Sequence, residues 1–319
     1  MSTKYLDRKL VMELVRVTEA GAIAASKLVG RGNEKAADAA AVKAIRGAFN
    51  SLDIDGTVVI GEGERDEAPM LFIGEKVGTG KGPEIDIALD PLEGTTITAK
   101  GFNNALAVVA FANKGHFLNA PDTYMEKIAT GPGLPKGVVD LDKSVADNAR
   151  AVAEAKGLDP SEIMVCVLDR PRHAEIIKSL RDLGCRIKLI SDGDVAGVMQ
   201  CATPSTGVDM YIGTGGAPEG VLAAAALRCM GGQFQGRLVF RNNDEKARGH
   251  KWGITDLNRK YDLEELASGD VLFAATGVTN GDFVGGVEKN NVGGIRTHTI
   301  VMRASTRTVR LIQTDHNID

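Results

Sequence analysis

The sequence has little of what an extracellular, membrane-bound or nucleic-acid-binding protein needs. Its four cysteines, Cys166, Cys185, Cys201 and Cys229, lie far apart with no C-x-x-C pair. That argues against a thiolate metal site or a disulfide framework and for buried free thiols. Aromatic residues make up 4% of the chain, too few for base-stacking platforms. Formal net charge is −4 over 319 residues, so no basic field invites nucleic acid. No apolar run reaches membrane-spanning length, and the charged stretch 1–16 lacks the apolar centre of a signal peptide. The expectation is a cytoplasmic protein with no membrane and no nucleic-acid partner. The five histidines show no paired metal spacing and read as structural or exposed. No G-x-S-x-G elbow supports Ser-His-Asp catalysis. Val77-Gly78-Thr79-Gly80-Lys81-Gly82 fails as a phosphate-binding P-loop, because Gly82 follows the lysine where Ser or Thr is required.

What remains is ordinary globular composition, 43% hydrophobic and 25% charged with 38 glycines, long enough for one large domain or two packed lobes. Spacing predicts an amphipathic helix over 5–29, stopped by Gly30 and Gly32, and an alanine-rich helix over 35–49. A turn is expected at 53–57, and strands at 58–60, 70–77 and 105–111. The stretch 120–136, around Gly131-Pro132-Gly133-Leu134-Pro135, reads as loop. After about residue 155, strands (163–168, 186–190, 208–212) alternate with helices (172–183, 195–201, 219–230), with a glycine-rich turn at 213–216. This suggests an α/β lobe. Further strands are expected at 271–275, 298–303 and 308–312. A soft boundary therefore divides an N-terminal lobe, 1–155, from a C-terminal lobe, 156–319.

Chemistry concentrates in Ile85-Asp86-Ile87-Ala88-Leu89-Asp90-Pro91-Leu92-Glu93-Gly94-Thr95-Thr96. Ile85, Ile87 and Leu89 share one face of a predicted strand, with Asp86, Ala88 and Asp90 on the other. Pro91 lacks an N–H and is expected to end the strand at Asp90. Two carboxylates and a threonine hydroxyl then leave the strand together. Three more acidic sites stand at element ends beside small residues: Asp38, the cluster Glu62, Glu64, Asp66 and Glu67, and Glu219 after Pro218. Acids gathered without His or Cys suit Mg2+ or Mn2+. Two such ions about 3.5–4 Å apart can clamp a phosphate and lower the pKa of a bound water. Each acid alone also reads as a first-turn helix residue, a solvated turn or a strand end. The recurrence of four such sites is harder to ascribe to chance. Gly213-Thr214-Gly215-Gly216 before a helix, and the two guanidiniums of Arg170-Pro171-Arg172, are suited to anions, though each also reads as a plain turn or solvated surface. Asp192-Gly193-Asp194 is either an acceptor for sugar hydroxyls or an Asx turn.

At these residues the chain resembles the metal-dependent, lithium-sensitive phosphatase superfamily. Asp90-Pro91-Leu92-Glu93-Gly94-Thr95 is similar to its D-P-[ILV]-[DE]-G-[ST] signature. Longer segments resemble the bacterial class II fructose-1,6-bisphosphatases: Gly61-Glu62-Gly63-Glu64 with Asp66-Glu67-Ala68-Pro69-Met70, Asn119-Ala120-Pro121-Asp122 with Tyr124-Met125-Glu126-Lys127, Asp192-Gly193-Asp194-Val195-Ala196, and Gly215-Gly216-Ala217-Pro218-Glu219-Gly220. The resemblance covers about residues 5–315. It implies a layered αβαβα sugar-phosphatase sandwich of the α/β (α+β) class, two lobes with the site between them. By the same resemblance, Asp38, Glu62, Asp90 and Glu219 match metal ligands, two or more divalent ions per site. Glu93, Gly94 and Thr95 match a loop near metal and substrate, with Thr95 beside the attacking water and Asp66 paired to it. Tyr124, Arg170, Pro171, Arg172, Asp192, Gly193, Asp194 and Gly216 match positions that hold a sugar bisphosphate. The chain departs from many relatives at Glu34 and from some at Arg170, where they carry lysine. The implied activity is hydrolysis of the 1-phosphate of fructose 1,6-bisphosphate by a homo-oligomer, dimer or tetramer. The alternatives are sedoheptulose 1,7-bisphosphate as substrate, alone or in addition, and a regulatory module that binds a sugar phosphate without cleaving it.

Overall fold

A computed structural model describes residues 5–63, 70–289 and 293–317. The chain opens with α1 (Leu10–Ser26), α2 (Glu34–Phe49), β1 (Asp55–Ile60), β2 (Lys76–Val77), β3 (Glu84–Glu93), the short α3 (Thr95–Lys100) and β4 (Leu106–Asn113). It continues with β5 (Tyr124–Thr130), α4 (Val145–Lys156), β6 (Met164–Leu168), α5 (Ala174–Asp182), β7 (Arg186–Ile190), α6 (Asp194–Gln200), β8 (Met210–Gly216), α7 (Ala217–Met230), β9 (Gln233–Val239), α8 (Asn243–Lys251), β10 (Lys260–Asp262) and α9 (Leu263–Leu266). It ends with β11 (Leu272–Gly277), β12 (Glu288–Lys289), β13 (Ile295–Arg303) and β14 (Thr308–His316). The expected α/β class is borne out: both units combine a mixed sheet with helices. No helix among the described residues is long and apolar enough to cross a membrane.

One unit comprises residues 1–118 and 267–319, the other 119–266. The contacts thus divide at two places, where the sequence pattern suggested one boundary near 155. The reason is strand pairing: β11 returns to lie between β4 and β13, with Ala274 opposite both Val109 and Val301. The first sheet runs β12-β13-β11-β4-β3-β1-β2, with β14 also on β13. Its core gathers Leu14, Ile45, Phe49, Ile87 and Phe111, all fully buried, with the Phe49 and Phe111 rings 6.1 Å apart. Burying each such side chain contributes about 1.5–3 kcal/mol. Helix α2 starts because the Asn33 side chain accepts from the Ala36 N–H at 3.0 Å and alanine-rich sequence propagates the helix.

Several local expectations are corrected. The turn expected at 53–57 instead begins β1 at Asp55. The strand expected over 70–77 shrinks to Lys76–Val77, because Leu71 and Gly74 adopt positive φ and turn the chain. β3 does not stop at Asp90 but runs through Pro91 to Glu93. A register shift between Asp90 and Glu93 places the proline at an irregularity, where its missing N–H breaks no regular ladder bond.

The second sheet runs β10-β9-β5-β8-β6-β7. β5 lies within the stretch expected to be loop and occupies an interior position, between β8 and β9. The glycine-rich turn expected at 213–216 is the end of β8, leading directly into α7. The core of this unit gathers Ile128, Val152, Val165, Val167, Leu180 and Met210.

Candidate active site

In the first unit, strand register brings candidate residues together. β1 and β3 are parallel neighbours, with Ile60 opposite Ala88. Glu62, two residues past Ile60, and Asp90, two residues past Ala88 and still within β3, therefore stand at the same level, near the carboxyl ends where ligands bind in α/β sheets. The Glu62 N–H donates to the Leu71 carbonyl at 3.1 Å. Asp90 Oδ1 accepts the Leu92 N–H at 3.0 Å, an Asx turn that fixes the carboxylate at the strand end. Glu93 is buried. Gly94 has φ of 88°, which glycine adopts without strain, and this lets Thr95 open α3 directly. No described residue takes the Thr95 hydroxyl, which is partly exposed. Asp38 lies on α2, which packs against both β3 and α3. Burial raises its carboxyl above the usual range. Asp66 lies outside the described residues.

In the second unit, Tyr124 and Gly216 stand opposite each other across β5 and β8. Asp194 opens α6 and is buried, and the fully buried Lys127 side chain forms an ion pair with it. The cross-strand neighbours of Lys127 are Gly213 and Gly236. A Cβ on Gly215 would collide with the Asp194 carboxylate, and one on Gly216 with that of Glu219. These glycines leave space that the two acids fill. Burial pushes the Glu219 carboxyl up to about 7; the Asp194 charge adds to this and the Lys127 charge opposes it. Arg170 lies 3.7 Å from Asp192, and Gly193, with φ of 81°, leads into Asp194. Pro171 opens a single 3-10 turn ending at His173.

That turn is fastened to β8 by side chains. Arg172 donates twice to the Thr214 carbonyl, from Nε at 2.9 Å and Nη2 at 2.7 Å. His173 accepts the Thr214 N–H at Nε2, 2.8 Å, and donates from Nδ1 to the Leu168 carbonyl, 2.7 Å. Burial holds this imidazole below its usual pKa, and its two bonds require the neutral form with the proton on Nδ1. The β6–β8 ladder ends at Cys166 opposite Tyr211; beyond it, these two side chains bond the Thr214 peptide. Lys127, and Arg241 with Glu245, were not foreseen as site residues. Their only sequence signal was Lys127 within a hallmark segment.

The acids of both units offer only oxygen donors, which suits a hard divalent cation. Burial holds the carboxyls of Asp38 and Glu219 above their usual range, and a bound cation would favour their charged forms. Among the described residues, no three His, Cys, Asp or Glu side chains are grouped so that they could hold an ion. The donor chemistry fits a metal.

Comparison with known proteins adds a whole-chain relationship. Residues 8–316 match the family described as bacterial fructose-1,6-bisphosphatase, glpX-encoded. The chain is 47% identical over 329 aligned positions to fructose-1,6-bisphosphatase 1 class 2 of Escherichia coli strain K12, covering 98% of this chain and 97% of that protein. The same identity and coverage hold for the class 2 enzymes of Escherichia coli O6:H1 and Shigella flexneri.

Proposed function

Because the chain belongs to the bacterial class 2 fructose-1,6-bisphosphatase family, we propose that it hydrolyses the 1-phosphate of fructose 1,6-bisphosphate, giving fructose 6-phosphate and inorganic phosphate. The family is metal-dependent, and Mg2+ or Mn2+ is the cofactor in this reading. The observation that carries the mechanism is the C-terminal part of β3, where Asp90 stands level with Glu62 and Thr95 follows with a hydroxyl that no described residue takes.

Asp38, Glu62, Asp90 and Glu219 are the proposed metal ligands, with Glu93 beside them. When bound, such ions would supply charge stabilisation to the cleaved phosphate and would make a nearby water more acidic. Thr95 holds that water and relays its proton, and Asp66 is the acid proposed to pair with Thr95 and orient it. Arg170, Pro171, Arg172, Asp192, Gly193, Asp194, Gly216 and Tyr124 hold the end of the sugar that does not react. Binding energy gathered there orients the reacting end. A cytoplasmic location and a homo-oligomeric state accompany the reading.

Phosphate release from fructose 1,6-bisphosphate, measured with Mg2+, with Mn2+ and with EDTA, tests it. Release should need one of the ions, stop with EDTA and return when metal is restored. Release that EDTA leaves untouched, or none with either ion, contradicts the proposal. The ratio of kcat/KM for sedoheptulose 1,7-bisphosphate to that for the fructose ester then measures selectivity.

A further inference from the structure

Two guanidiniums lie over the Tyr124 ring, Arg172 with its Cζ 5.1 Å from the centroid and Arg241 with its Cζ 4.4 Å away. The two charges are thus within about 10 Å of each other, inside the screening length of ordinary salt. Like charges held this close repel unless an anion joins them. Each is braced from one edge. Arg172 uses Nε and Nη2 on the Thr214 carbonyl. Arg241 uses Nε and Nη2 on Glu245 Oε1.

Glu245 is itself fixed. Its Oε2 accepts the Arg241 N–H at 2.7 Å and the Thr123 hydroxyl at 3.1 Å, and its own N–H donates to the Asn242 side chain that caps α8. Among the described residues, Nη1 of both arginines has no partner. The pair with Glu245 would by itself explain an immobile Arg241. It does not explain why a second cation is held against the ring that already carries Arg172. Two preorganised cations around one aromatic ring, each with an uncommitted N–H edge, form a receptor for a phosphate.

We propose that Arg241 is a substrate-recognition residue, joining Arg172 and Tyr124 in binding the phosphate of the sugar bisphosphate that is not cleaved. Glu245 is its positioning residue. The inference rests on the functional reading above, which makes a sugar bisphosphate the ligand.

Kinetics of Arg241→Met on fructose 1,6-bisphosphate and on fructose 1-phosphate, which lacks the anchored phosphate, test it. The ratio of the two kcat/KM values should fall about tenfold or more, the weight of one charge-assisted hydrogen bond. Most of the loss for the bisphosphate should appear in KM. Arg241→Met strands the Glu245 charge, so the double variant Arg241→Met/Glu245→Gln must show the same fall. A ratio within twofold of the parent in both variants, with the parent active, overturns the inference. If the parent releases no phosphate from the bisphosphate, the functional reading fails instead. Calorimetric binding of fructose 6-phosphate then decides: the inference requires the parent to bind it and Arg241→Met to bind about tenfold more weakly, and equal binding or none by the parent overturns it.

Discussion

The two units carry charge in different ways. The candidate residues of the first are acids and a hydroxyl: Asp38, Glu62, Asp90, Glu93 and Thr95. Glu62, Asp90, Glu93 and Thr95 lie near the carboxyl ends of β1 and β3, Asp38 lies on α2, and none of these candidates is a lysine or arginine. In the second unit, the charged groups are already braced by the protein. Lys127 pairs with Asp194, Arg241 with Glu245, and Arg172 with a backbone carbonyl. A region that leaves positive charge to a metal ion is suited to chemistry whose charge changes along the reaction. A region whose cations are fixed in advance is suited to recognition, since little ordering remains to be done on binding. In the proposed mechanism, bond breaking therefore depends chiefly on first-unit residues, Glu219 being the one proposed metal ligand from the second unit, and selection and orientation depend on the second.

The largest stability effect should come from breaking the second unit's internal neutrality. Lys127→Met leaves Asp194 and Glu219 without their cation and should cost about 3–5 kcal/mol in urea unfolding. Adding Asp194→Asn should recover part of that loss, because the stranded charge is gone. A single-variant loss below about 1 kcal/mol would mean that Lys127 does not neutralise the pair.

A smaller effect sharpens the same point through pH. The Arg241 guanidinium holds the Glu245 carboxyl at about 2, below its ordinary 4.5. A depressed folded pKa adds stability above the unfolded value and loses it as pH falls through the folded one. The Tm advantage of the parent over Glu245→Gln should be constant above about pH 5 and shrink progressively from there towards pH 2. A difference that does not change with pH would show that Glu245 is not held as a carboxylate by Arg241.

The same contrast explains what could be read before the fold was known. Asp90, Glu93, Gly94 and Thr95 fall in one short stretch, and proline and glycine mark their turn, so that part of the candidate site was visible. Pro91 misled only about where the strand ends, because β3 absorbs it at a register shift. In the second unit, Tyr124, Arg172, Thr214 and the pair Arg241 and Glu245 come from four separate segments and meet only through strand register and side-chain packing. β5 itself was hidden. Prolines and glycines crowd its C-terminal flank, and Lys127 at its centre looks like a surface residue. Its burial depends on Asp194 and on glycines at the facing positions of β8 and β9, relations that no local pattern contains.

The division of labour is tested most directly by steady-state kinetics of Thr95→Ala on fructose 1,6-bisphosphate. Thr95 is assigned to the reacting water and not to substrate anchoring. The account predicts that kcat falls about a hundredfold or more while KM stays within about threefold. An unchanged kcat, or a loss carried wholly by KM, would contradict it.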